Sequence, residues 1–238
     1  ILREVSSIYM IRDEDKCLQK ALCDELGVNI KRLVRKPEKQ PSKSQRFLAI
    51  LGDIHANLPG LNVVLDYLHK EKITDILVVG DVVGYGPHPA ECVDKLREIS
   101  AMVIAGNHDY VCATAEVPRG FSPDARWVLD WSRERLNTEQ IAWLKNLPRV
   151  LEQDHWMAVH GAPIDKHYFY AYVYMMTYEE NLQYLKDVDT RFCFHGHSHI
   201  PGVFFENGTD AYFSDALEQD LSQYNQALIC PGSVGQPR

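Results

Sequence analysis

Residues 47–55 read Phe-Leu-Ala-Ile-Leu-Gly-Asp-Ile-His: an apolar run, a glycine, then two side chains able to ligate metal or move a proton. A run that short, stopped by glycine, predicts a buried strand over Phe47–Leu51 feeding a polar loop. The same order recurs downstream. Gly60–Lys70 carries Leu61, Val64, Leu65 and Leu68 at helical spacing, Ile76–Val79 returns to strand, Ala90–Ile99 to helix and Met102–Ala105 to strand. Ser122-Pro123 opens a helix as a cap followed by proline, with Trp127, Val128 and Trp131 as its apolar side. Asn137 with Gln140 opens the next, which ends before Pro148. Trp156–Val159, Arg191–Phe194, Gly202–Phe205 and Ala227–Ile229 read as further strands. Strands alternating with helices predict a layered α/β domain.

The chain's 238 residues suit one such body plus an appendage. Asp13–Leu26 reads as a helix with Leu18, Leu22 and Leu26 spaced by four and Gly27 as its stop; residues 37–45 form a polar Pro/Ser/Lys linker. We place the boundary there: residues 1–46 are expected to be an N-terminal helical segment and linker, or the end of an upstream domain, and residues 47–238 the α/β domain. With 45% apolar and 24% charged residues the chain can bury a core, which excludes disorder. Its apolar runs fall far short of the roughly 18 residues of a membrane span. Formal charge is −8, yet seven basic residues and one acid fall between Lys31 and Arg46. A solvated linker is the preferred reading of that run. The acidic remainder argues against nucleic acid as a partner, and phosphate chemistry on it would call for bound cations. Six cysteines without a CxxC pair, and no signal-peptide pattern, lead to the expectation of a reducing, cytoplasmic location.

The residues able to do chemistry cluster just after each strand. Asp53-Ile-His55 comes after the first, Gly80-Asp81-Val-Val-Gly84 after the second, Gly106-Asn107-His108-Asp109 after the third, His160-Gly161 after the fourth and Gly196-His197-Ser-His199 after the fifth. Strand carboxyl ends are where sites of α/β sheets assemble. Imidazoles, carboxylates and an amide together suit two divalent ions, which about 3.5–4 Å apart can hold a hydroxide nucleophile and clamp a phosphoryl group. Any one loop alone is an ordinary turn or helix cap; the ordered set is specific.

That set resembles the calcineurin-like metallophosphoesterase superfamily over roughly Phe47–Arg238, and Gly80-Asp-Val-Val-Gly-Tyr-Gly-Pro87 with Pro231-Gly-Ser-Val-Gly-Gln-Pro-Arg238 is similar to its compact microbial branch. The resemblance implies two mixed β-sheets packed face to face and flanked by helices. It implies two divalent metal ions, Mn first, with Fe, Ni, Zn or Co as alternatives. Asp53, His55 and His199 would hold one, Asn107, His160 and His197 the other, and Asp81 would bridge both. His108 would be catalytic, facing the leaving group, with Asp109 fixing its orientation. The implied activity is dinuclear-metal-dependent hydrolysis of a phosphomonoester or phosphodiester by a metal-bridging hydroxide. A nucleotidase or diadenosine-polyphosphate hydrolase, a phosphoprotein phosphatase and a non-catalytic scaffold of the same fold are the alternatives. The expected partner is a small phosphoester or nucleotide, and a homo-oligomer is left open. Two departures stand out: Cys230 occupies a position where the family often has asparagine, and further strands are expected beyond Arg238 to close the second sheet, so truncation is expected.

Substrate choice is less legible. The phosphoserine and phosphothreonine branch usually has Gly-Asp-x-Val-Asp-Arg-Gly, whereas residues 80–86 read Gly-Asp-Val-Val-Gly-Tyr-Gly, without the arginine that would grip phosphate. Tyr168, Tyr170, Tyr172 and Tyr174 would share one face of an extended segment, as a nucleobase wall or, preferably, as an edge or dimer contact. Thr177 and Glu180 read as a capping box. Tyr85, His88 and Tyr110, beside the ligand loops, are candidate substrate contacts. His195 reads equally well as a support to its ligand neighbours or as a structural histidine.

Overall fold

The computed structural model describes residues 47–118, 122–207, 210–216 and 219–237. The helix expected over Asp13–Leu26, the linker and the boundary at residue 46 lie outside the described residues. In chain order the elements are β1 (Leu48–Leu51), α1 (Leu58–Lys70), β2 (Asp75–Val78), α2 (Pro89–Glu98), β3 (Met102–Val103), α3 (Asn107–Thr114), α4 (Pro123–Arg135), α5 (Thr138–Lys145), β4 (Val150–Gln153), β5 (Trp156–Val159), α6 (Tyr178–Asp187), β6 (Phe192–His195), β7 (Gly202–Asn207), β8 (Asp210–Ser214) and β9 (Gln226–Cys230).

They form two sheets. The first is parallel, in the order β1-β2-β3, with Leu51 opposite Val78 and Val78 opposite Val103. The second runs β4-β5-β6-β9-β7-β8, with β5, β6 and β9 mutually parallel and antiparallel strands outside them. Period-two alternation sorts the side chains into three layers. Ile50, Leu77 and Val79 face Ala158, Phe194, Val203 and Ile229 between the sheets. Leu51 and Val78 face Leu61, Val64, Leu68 and Leu96 of α1 and α2. Met157, Cys193 and Leu228 face Leu182 and Leu185 of α6. Strands buried on both faces explain the continuous apolar runs, and each fully buried leucine contributes about 1.5–3 kcal/mol. Among the described residues no helix is long and apolar enough to cross a membrane.

Sequence reading and structure differ at several places. β4 and β8 have no counterpart among the strands expected from sequence, because both are edge strands with much of their length in solvent. α4 buries Ala125, Leu129 and Ser132, whereas Trp127 is 66% exposed: its aromatic pair lies off the core-facing stripe. The Asn137–Gln140 capping box forms, with both bonds at 2.9 Å. Thr177 begins α6 without a side-chain cap, because its hydroxyl is engaged by the preceding turn. Residues 168–176 are turns rather than strand, although Phe169 and Val173 are buried and their tyrosine neighbours more open.

Candidate dinuclear metal centre

Parallel strands bring the loops after β1, β2, β5 and β6 to one edge of the sandwich. Asp53, His55, Asp81, His197 and His199 all adopt left-handed backbone, with φ between 47° and 64°, a conformation that costs a non-glycine residue about 1–3 kcal/mol and persists only where neighbours enforce it. The enforcement is visible between loops. His55 N donates to Asp81 O at 2.9 Å, Asp53 N to Gly80 O at 3.2 Å, Gly235 N to Asp53 O at 3.0 Å and Gly196 N to His160 O at 3.0 Å. Gly106 permits the closest approach: a β-carbon there would strike the carboxylate and backbone of Asp81.

Two groups of ligating atoms result, Asp53/His55/Asp81/His199 and Asp81/His160/His197, each within 4.8 Å and sharing Asp81. Asp81 Oδ2 lies 3.7 Å from His55 Nε2 and 3.4 Å from His160 Nε2, while Oδ1 accepts from His108 N at 2.8 Å. Asp53 Oδ1 lies 3.3 Å from His199 Nε2 and accepts from His197 N at 3.1 Å. Asn107 Oδ1 stands 2.9 Å from His160 Nε2, joining the second group.

Three of the histidines are fixed by their other nitrogen. His55 Nδ1 donates to Val83 O at 3.2 Å, His160 Nδ1 to Val79 O at 2.8 Å and His199 Nδ1 to Gln236 O at 2.6 Å. A carbonyl only accepts, so these rings carry hydrogen on Nδ1 and turn Nε2 inward, the orientation of metal-ligating histidines. His55 Nε2 and His199 Nε2 then face each other at 3.1 Å, and buried Asp53 Oδ2 has no hydrogen-bond partner. Opposed lone pairs and an orphan carboxylate oxygen need a cation between them. The residues therefore fit a bound metal pair.

Titration obeys the same logic. Burial opposes ionisation of Asp81, but His160, His108 and His55 outweigh it and hold the carboxyl well below its usual range. Burial also opposes the charged form of His160, yet the Asp81 carboxylate raises it to about 9. Burial lowers His55 and His108, and lowers His197 to about 3.

Asn107 and His108 open α3. Asp109 closes its first turn, accepting from Gly106 N at 2.9 Å and from Val83 N at 3.1 Å. Both its oxygens accept from backbone, which fixes the turn that carries His108. A cavity of about 230 Å³ opens over the cluster, its walls including Tyr85, Tyr170, Tyr172, Ser122 and Ala125 as well as His108. Tyr85 packs 4.7 Å from the rings of both His55 and His108. His88 instead caps α2 beside Glu91 at 3.7 Å, and the Tyr110 hydroxyl donates to Glu116 at 2.5 Å. His195 is buried behind the ligand loop, Nδ1 3.4 Å from Gly196 O. Cys230 Sγ lies 3.4 Å from Ser198 Oγ between the two ligand histidines of that loop. The carbonyls of Val79, Val83 and Gln236 were invisible to sequence reading, since a tether made by backbone leaves no residue signature.

Comparison with known proteins agrees with this geometry. The sequence signature of the calcineurin-like phosphoesterase family matches residues 48–201. An uncharacterized protein of Methanocaldococcus jannaschii is 32% identical over 197 residues, covering 81% of this chain and 77% of that protein. Serine/threonine-protein phosphatase 1 of Salmonella typhimurium is 29% identical over 120 residues, 49% of this chain and 54% of that one. Among solved structures, a metallophosphoesterase from Sphaerobacter thermophilus superposes with a TM-score of 0.66 at 33% identity, covering 80% and 78% of the two chains. A hypothetical protein from Pyrococcus horikoshii, at 20% identity and a TM-score of 0.62 over 79% and 77%, shares the fold. With two ligand groups meeting at Asp81 and a family match that begins in β1 and reaches past His199, the chain belongs to the calcineurin-like phosphoesterases.

Proposed function

We propose that the protein is a metal-dependent phosphoesterase hydrolysing small phosphomonoesters or phosphodiesters. The observation that carries this reading is Asp81, one carboxylate within reach of imidazoles from both ligand groups. Divalent ions held there, Mn first and Fe, Ni, Zn or Co as alternatives, supply the activated nucleophile and neutralise phosphoryl charge. Asp53, His55 and His199 hold one ion and Asn107, His160 and His197 the other, with Asp81 common to both. His108 faces the leaving group and assists its departure by hydrogen bonding or proton donation. Asp109 sets the first turn of α3, and Tyr85 borders the substrate. The left-handed ligand residues support a working site over a non-catalytic scaffold, since strain of that kind persists where function uses it. Among the described residues the cavity lining includes neither Lys nor Arg, and residues 80–86 lack the arginine of the phosphoserine and phosphothreonine branch, which counts against a phosphoprotein phosphatase. The four described cysteines are free thiols, which supports a reducing, cytoplasmic setting.

The test is to strip the protein with chelator, restore Mn²⁺, Ni²⁺, Zn²⁺ or Mg²⁺ separately, and monitor p-nitrophenyl phosphate and bis-p-nitrophenyl phosphate. Metal-restored turnover is expected. Failure to bind two equivalents of any metal would return the scaffold reading.

A further inference from the structure

The loop leaving His160 returns over the site and lays Tyr172 on His197, ring centroids 4.2 Å apart and planes 31° from parallel. Thr177 fixes that turn: its hydroxyl donates to Tyr172 O at 2.7 Å and accepts from Tyr174 N at 3.2 Å. Tyr172 is 40% exposed and lines the cavity, so its outer face is open to a ligand. Tyr85, 41% exposed, lines the same cavity over His55 and His108. The two rings thus stand over different ligand groups, Tyr85 packed on His55 and His108 and Tyr172 on His197.

We propose that Tyr172, held by Thr177, is the specificity-determining seat for the retained substituent of a phosphodiester, and that this substituent carries a planar ring. The proposal rests on the phosphoesterase reading above. A monoester has no second substituent to place on Tyr172. Hydrolysis breaks one P–O ester bond, adds the hydroxyl of water to phosphorus and leaves the proton on the departing oxygen. The products are an alcohol or phenol and a monoester still carrying its ring.

The full chain loaded with Mn²⁺ is assayed on bis-p-nitrophenyl phosphate and p-nitrophenyl phosphate as wild type, Tyr172→Leu, Tyr172→Phe and Thr177→Val. Loss of one stacking face should lower the diester-to-monoester efficiency ratio roughly 5- to 20-fold in Tyr172→Leu, chiefly through KM. Thr177→Val should lose part of the ratio and Tyr172→Phe should restore it. Separately, diphenyl phosphate is titrated into the Zn²⁺-loaded protein while its ring protons are observed by NMR; an upfield shift in wild type that disappears in Tyr172→Leu is expected. An unchanged ratio with unchanged ring shifts overturns the proposal. If wild type hydrolyses neither ester with any metal, the phosphoesterase reading fails, and the NMR titration alone decides whether Tyr172 seats a ring.

Discussion

The Nδ1 of His160 donates to the carbonyl of Val79 across 2.8 Å, tying the end of β5 to the residue that precedes Gly80-Asp81. One hydrogen bond therefore joins the second sheet to the first and aims the His160 Nε2 at the shared carboxylate, 3.4 Å away. Its ring orientation is set before any ion arrives.

That pairing gives the metal-free protein a pH dependence of known sign. His160 is raised to about 9 from an ordinary 6.5, so its stabilising contribution is complete below pH 6.5 and is lost as the pH climbs through about 9. Asp109, pushed up to about 7 by burial and by Asp81, has lost its own contribution by then. Calorimetry of chelator-treated protein should find Tm falling between pH 7 and 9, by roughly 3–8 °C, and His160→Asn should flatten the slope. A Tm that rises over this window refutes the pairing.

Asp81→Asn should release metal from both groups, weakening affinity by at least the roughly 10–100-fold seen when outer contacts of metal ligands are removed. Metal analysis after dialysis checks it, and two retained equivalents would end the shared-ligand assignment.

His108→Ala should keep both metals and lose about 10²- to 10⁴-fold in rate, most with poor leaving groups. Comparing phenyl with p-nitrophenyl esters measures this; an equal loss on both would deny His108 a leaving-group role.

Gly84→Ala tests the same residue from behind. Gly84 has φ +93°, and a β-carbon there would strike the His108 ring. Metal content should survive while turnover falls on the order of 10²-fold, as expected for a reacting group displaced by about 1 Å. Full activity in this variant would place His108 outside the chemistry.

Much of the fold and site was legible because ligands come directly after short apolar strands and glycines stand beside them: the five loop motifs and the strands before them are readable from residues 47–199. The features that escaped have physical reasons. β4 and β8 are edges, half in solvent, so their hydrophobic signal is diluted. Trp127 reads as core because it is large and apolar, but helix phase sends it outward. Thr177 matches a cap in spacing and serves a turn instead, a competition between local hydrogen bonds that spacing does not resolve. The roles expected of Asn107 and of Asp81, which both residue groups share, were placed by resemblance, while the left-handed backbone at Asp53, His55, Asp81, His197 and His199 has no residue signature of its own.

The sharing of ligands between the sheets also bears on how the molecule holds together. Asp53, His55, Asp81 and Asn107 precede the α5–β4 connection, and His160, His197 and His199 come after it. Cut at that connection, neither fragment owns a complete coordination group. Apolar packing between the sheets would bring the two pieces together, and a bound ion would act as a rivet, since each coordination group draws residues from both polypeptides.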